Sequence, residues 1–101
     1  MAYQRIAIGD AFKLITELGP EGALVIDIRD EDSYARGHIA SAMHIHSSNL
    51  QEFLNMADFD KPLFVCCYHG NMSQGSAAYF AGQGFEQTYS IDGGFEAWQA
   101  L

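Results

Sequence analysis

The chain has 101 residues, 49% of them hydrophobic, and a formal net charge of −8 at pH 7. That length supports a single domain, residues 1–101, around one core, and so acidic a surface excludes nucleic acid and anionic membrane as partners. Residues 1–9 carry no apolar leader core, no apolar run nears the ~20 residues of a membrane helix, and the adjacent Cys66 and Cys67 form no ordinary cross-link, so a reducing cytoplasm is the expected compartment.

Tyr3 to Ile8 reads as a first strand, and Asp10 as the cap of a helix whose Ala11, Leu14, Ile15 and Leu18 follow the i, i+3, i+4, i+7 pattern. Gly19-Pro20 stops that helix. Ala23 to Asp27 is a second strand, after which Asp30 caps a short helical turn through Tyr34 and Ala35 that Gly37 breaks. Ala42 to Ile45 is a third strand. Ser48 with Gln51 fits a capping box for a helix carrying Leu50, Phe53, Leu54 and Ala57. Pro62 to Cys66 is a continuous apolar run, as in a strand buried on both faces. Ser73 to Gln83 reads as a helix closed by Gly84, and Gly75 with Ser76, Ala77 and Ala78 suggests close packing on the sheet. Gln87 to Ile91 is a fifth strand, Asp92-Gly93-Gly94 turns, and Phe95 to Leu101 is a last helix packing Phe95 and Trp98. Strands alternating with helices predict an α/β fold with a mostly parallel sheet and helices on both faces.

Cys67 therefore stands where a buried strand ends and a helix begins. Ligands of open α/β sheets bind beyond the carboxyl ends of the strands. A helix N-terminus there offers free N–H groups and partial positive charge to an anion. Such a position, or a nearby cation, lowers a thiol pKa from about 8.5 into the range ~3.5–7.5. The stretch Cys67-Tyr68-His69-Gly70-Asn71-Met72-Ser73 contains no Lys or Arg. Backbone amides must then do most of the work, with Gly70 closing the loop, Ser73 offering a hydroxyl and His69 adding charge when protonated. The acidity of the chain opposes long-range capture of anions, so such a site must rest on local donors.

In order and spacing, Asp27-Ile28-Arg29, Tyr34, Gly37-His38-Ile39, the Cys67 loop with Gly70 and Ser73, and Gly93-Gly94 with Trp98 resemble a rhodanese (sulfurtransferase) domain. The resemblance covers almost the whole chain. It implies a five-stranded, mainly parallel sheet and a two-step transfer through Cys67. The Cys67 thiolate takes the outer sulfur of thiosulfate, sulfite leaves, and the resulting persulfide passes its sulfur on. The resemblance implies cyanide as assay acceptor and thioredoxin or another dithiol protein as acceptor in the cell. Residues Tyr68, His69, Gly70, Asn71, Met72 and Ser73 would bind the substrate, with no cofactor. Met72 departs from the family, which usually has Arg, Thr or Ser there. The alternative is a carrier module that binds a protein partner and relays persulfide sulfur.

Other residues read as structural. Cys66 should point into the core, opposite to its neighbour, and Asp27 and Arg29 should pair locally. His38 is expected to pack and hydrogen-bond rather than act as a base. His44 and His46 share a strand face but lack a third ligand, so no metal is expected. A Cys-dependent phosphatase would need Arg at position 73; Ser73 lacks the bidentate clamp for a phosphoryl dianion.

Overall fold

A computed structural model describes residues 2–101. In chain order the elements are β1 (Gln4–Ile6), α1 (Ile8–Gly22), β2 (Leu24–Asp27), α2 (Glu31–Arg36), β3 (Met43–His44), α3 (Leu50–Met56), β4 (Leu63–Cys66), α4 (Met72–Gly82), β5 (Thr88–Ile91) and α5 (Gly94–Gln99). The strands form one sheet in the order β1-β5-β4-β2-β3. Every pairing is parallel.

β4 is the middle strand, and all four of its residues are buried. Alternate side chains leave it on opposite faces. Phe64 and Cys66 enter one core with Ala11, Ile15 and Ile91, against which Tyr34, Phe95 and Trp98 pack. Leu63 and Val65 enter the other, with Phe53, Ala77, Phe80 and Phe85. Thus α1, α2 and α5 cover one face, and α3 and α4 cover the other. Helix α2 leaves β2 toward the first face, while α4 leaves the adjacent β4 toward the second. A crevice opens between two such strands at their carboxyl ends, and Cys67 is the first residue beyond β4.

Several local expectations are corrected. Helix α1 starts at Ile8, with Ala7 before it and no side-chain cap; Asp10 lies in its first turn, where a carboxylate suits the helix dipole. Gly19 does interrupt it, with φ +73°, but Pro20 then opens one further turn to Gly22. The Ser48–Gln51 capping box does not form. Asn49 precedes α3 instead, accepting from the His46 amide at 2.8 Å and donating to the His44 carbonyl at 2.8 Å. Gly75 does not press on the sheet: a Cβ there would meet nothing within 4 Å. Ala77, fully buried, makes that close approach.

Candidate active site

The sequence places a small, sharp turn after β4, and the turn brings two backbone N–H groups onto the Cys67 sulfur. The Gly70 amide donates to Sγ at 3.2 Å, and the Ser73 amide, in the first turn of α4, donates at 3.2 Å. Donors aimed at a sulfur favour negative charge on it. The amides of Tyr68, His69, Asn71 and Met72 have no intramolecular acceptor among the described residues. The loop therefore carries four unspent donors in the same short stretch as the two amides already on Sγ.

The loop is also held on its opposite side, by α5. The Cys67 carbonyl accepts from the Phe95 amide at 2.8 Å, and the Tyr68 carbonyl accepts from the Glu96 amide at 3.2 Å. Both donors are orphan N–H groups of the first turn of α5. Those two bonds leave the amides of the same peptide groups, those of Tyr68 and His69, pointing to the other side of the chain, while the amides on Sγ are those of Gly70 and Ser73. Two glycines make this approach possible. Gly70 has φ +93°, and a Cβ on it would lie 2.7 Å from the Gly93 nitrogen; Gly94 has φ +57°, and a Cβ on it would lie 2.5 Å from the Cys67 carbonyl oxygen.

Tyr68 reaches away from the sulfur. Its hydroxyl donates to the Asp30 carboxylate and accepts from the Asp30 amide at 3.0 Å, which ties the loop to the start of α2. Bonds from Tyr68, and then from Ser33, hold the Asp30 carboxyl well below the usual carboxylate range. His69 is exposed, with Nδ1 3.5 Å from the equally exposed Glu96 carboxylate. Met72 is 56% exposed at the lip of the site. The Ser73 hydroxyl is buried and lies 2.7 Å from Ser90 Oγ, either being the donor, and of Ser73 it is the amide that is placed on the sulfur.

Behind the site, Asp27 and Arg29 are both buried and pair through Nε and Nη2 at 2.7–3.0 Å, and Nη2 also donates to the Gly37 carbonyl at 2.7 Å. The hydrogen bond to Asp27 raises the Arg29 pKa above its ordinary value. The guanidinium also covers the Phe95 ring, 4.4 Å from its centroid. This pair fixes the end of β2 against α5, which in turn holds the loop. Cys66 points into the core as expected; burial, and then the Asp27 charge, pushes its thiol up to about 12. His38 Nδ1 lies 2.8 Å from the Tyr34 carbonyl, and its ring stacks on Tyr34. His44 and His46 each face a backbone group, and no cluster of three metal-ligating side chains occurs among the described residues. Trp98 is half-buried against Phe12.

The ordered motifs and this geometry meet a family pattern: residues 11–101 match the Rhodanese-like domain. The chain belongs to the rhodanese family. This rhodanese is 56% identical over 84 residues, 83% of its length and 77% of the relative's, to the thiosulfate sulfurtransferase GlpE of Ectopseudomonas mendocina. It is 50% identical over 99 residues, 98% of its length and 86% of the relative's, to the protein of that name from Pseudomonas paraeruginosa. Among solved structures, the rhodanese-related protein of Thermoplasma volcanium superposes with a TM-score of 0.78 at 26% identity, over 97% of this chain and 92% of that one. A rhodanese-like domain protein from Staphylococcus aureus has the same fold, with a TM-score of 0.78 at 22% identity over 95% and 90% of the two chains.

Three parts of the rhodanese site escaped sequence reasoning. The Tyr68–Asp30 tie joins residues 38 apart in the chain, and Ser90 meets Ser73 across 17; neither pair carries a local signal. The clamp by α5 had one: two consecutive glycines opening a helix, where one would end a turn.

Proposed function

We propose that the chain is a thiosulfate sulfurtransferase that works through a persulfide on Cys67, with residues 68–73 as its anion-binding loop and residues 1–101 as one domain. The Cys67 thiolate attacks the outer sulfur of thiosulfate. A bond forms from Sγ to that sulfur, the S–S bond of thiosulfate breaks, and sulfite departs with the electron pair. In the second step cyanide or a thiol, small or carried by a dithiol protein in the cytoplasm, takes the outer sulfur and returns Cys67 to its thiolate.

The observation that carries this reading is the pair of amides on Sγ in a loop without a cation. A thiolate repels a dianion at ~3.5 Å by roughly 9 kcal/mol at an effective dielectric of 20. Hydrogen bonds to charged groups contribute ~1.5–3 kcal/mol each, so the amides of residues 68–73 together are of the size needed. Burial adds a constraint. Cys67 is 1% exposed, so only a small, unbranched sulfur reaches Sγ. The outer sulfur of the persulfide then stands about 2 Å nearer solvent, where a bulkier acceptor can meet it.

Incubation with thiosulfate should raise the intact mass by one sulfur atom. Cyanide should then remove that sulfur as thiocyanate, and Cys67→Ser should never gain it. An unchanged mass of the wild type would overturn the reading. Met72 favours a second reading, relay of sulfur from a protein persulfide, because its side chain gives thiosulfate no donor; loading by a protein persulfide but not by thiosulfate would establish it.

A further inference from the structure

Beside the loop, on the face of the sheet covered by α3 and α4, lies a groove of about 350 Å³. Its walls include Ile28, Ile45, Leu50, Met72, Gly75 and Tyr79. Ile28 follows the end of β2 and Ile45 the end of β3, so the groove opens on the rim of the sheet that carries Cys67. Helix α4 joins the two sites. Ser73 gives its amide to Sγ, and the neighbouring Met72 forms the wall of the groove. Gly75 lies three residues further, about 4.5 Å along the helix axis.

We propose that this groove seats the apolar body of a low-molecular-weight organic thiol, the acceptor that takes sulfur from Cys67. The inference rests on the sulfur-transfer reading above and names the class of its second substrate. In that step the acceptor thiolate attacks the outer sulfur of the Cys67 persulfide. A new S–S bond forms in the organic persulfide, the bond from Sγ to the outer sulfur breaks, and its electron pair stays on Cys67. The exchange needs no external oxidant or reductant.

Three features favour this occupant. The chain has 13 acidic and 5 basic residues, yet among the described residues no Asp, Glu, Lys or Arg lines the groove. Its polar side-chain groups come from His46, Ser76 and Tyr79, so the walls suit an uncharged apolar body. The volume is that of a small-molecule site, ~300–1,000 Å³, rather than a protein-binding face. Gly75 is the third. A glycine inside a helix costs about 1 kcal/mol against alanine, and here neither its backbone nor its packing requires it: its φ is not positive and a Cβ would meet nothing within 4 Å. What its missing side chain does is leave the groove open.

The test loads the wild-type protein with thiosulfate, removes the excess, and follows discharge of the persulfide by cyanide, 2-mercaptoethanol, phenylmethanethiol and reduced thioredoxin. Rates are compared at equal concentrations of the reactive anion. Phenylmethanethiol should discharge the wild type about tenfold faster than 2-mercaptoethanol, the effect of burying part of one ring. Gly75→Leu, which fills the groove without a backbone clash, should erase that preference and leave cyanide discharge within about twofold. Gly75→Ala should fall between, and both variants should melt no lower than the wild type. Equal rates for the two thiols in the wild type would overturn the proposal. So would a loss in Gly75→Leu confined to thioredoxin, which would make the occupant a protein. A failure to load at all would instead refute the sulfur-transfer reading itself.

Discussion

Two cysteines one residue apart live in opposite environments. Cys66 ends β4, fully buried among apolar side chains and near the Asp27 carboxylate, and its thiol is pushed up to about 12. Cys67 is almost as buried, but the chain has already left the sheet, and two amides meet its sulfur at 3.2 Å. Burial alone therefore does not decide what a thiol becomes. The difference lies in backbone direction: inside the strand the N–H groups are spent on neighbouring strands, while beyond it they are free to turn toward a side chain. Helix α5 holds the loop from behind, through the carbonyls of Cys67 and Tyr68.

The sharpest way to break the comparison is to exchange the roles. Cys67→Ser should lower thiocyanate formation by at least ~10³-fold, since the hydroxyl is a poor nucleophile near neutrality; thiosulfate and cyanide turnover measures it. Next in size is Asp27→Ala. It would leave the Arg29 guanidinium buried without its partner and should cost about 3–5 kcal/mol of unfolding free energy, read from denaturant midpoints. Gly94→Ala should come third. Its Cβ would press on the Cys67 carbonyl oxygen at 2.5 Å, in a backbone conformation at φ +57° that alanine resists. A stability loss of about 1–3 kcal/mol is expected, together with a fall in kcat that Gly9→Ala, at a glycine with open space around it, does not show.

The smallest effect belongs to Cys66→Ala, which should cost about 1 kcal/mol at neutral pH and leave turnover within twofold. Its signature is alkaline. The folded protein holds the Cys66 thiol protonated, with its pKa raised from 9.0 to about 12. That contribution is fully present below about pH 9 and is lost as pH rises through 12. The wild type should therefore lose more stability than Cys66→Ala between pH 8.5 and about pH 11, as urea midpoints across that range would show.

Much of this arrangement was legible in the chain, for identifiable reasons. The unbroken apolar run of Leu63 to Cys66 marks a strand buried on both sides, and the helix pattern from Ser73 fixes where it must end, so the place of Cys67 followed from local signals. The alternation that sends Cys66 inward is a property of any strand. Where reading failed, the cause was distance or the lack of a side chain. The Ser73 hydroxyl meets Ser90, on a strand that the chain reaches only after α4. Helix α1 begins at Ile8 without a side-chain cap, so Asp10 was the nearest available signal and lies within the first turn. Gly75 resembled a packing glycine because Ala77 and Ala78 follow it, yet it faces the groove, not the sheet.

The central claim is that main-chain amides, not cationic side chains, are the groups placed to stabilise a thiolate at Cys67. The most direct test is the backbone amide proton resonance of Gly70 and Ser73, compared between the wild type and Cys67→Ala at neutral pH. Both resonances should lie downfield in the wild type and move upfield together when the sulfur acceptor is removed, while the amides of β4 stay in place. Two amide resonances unmoved by the loss of that sulfur would contradict the account.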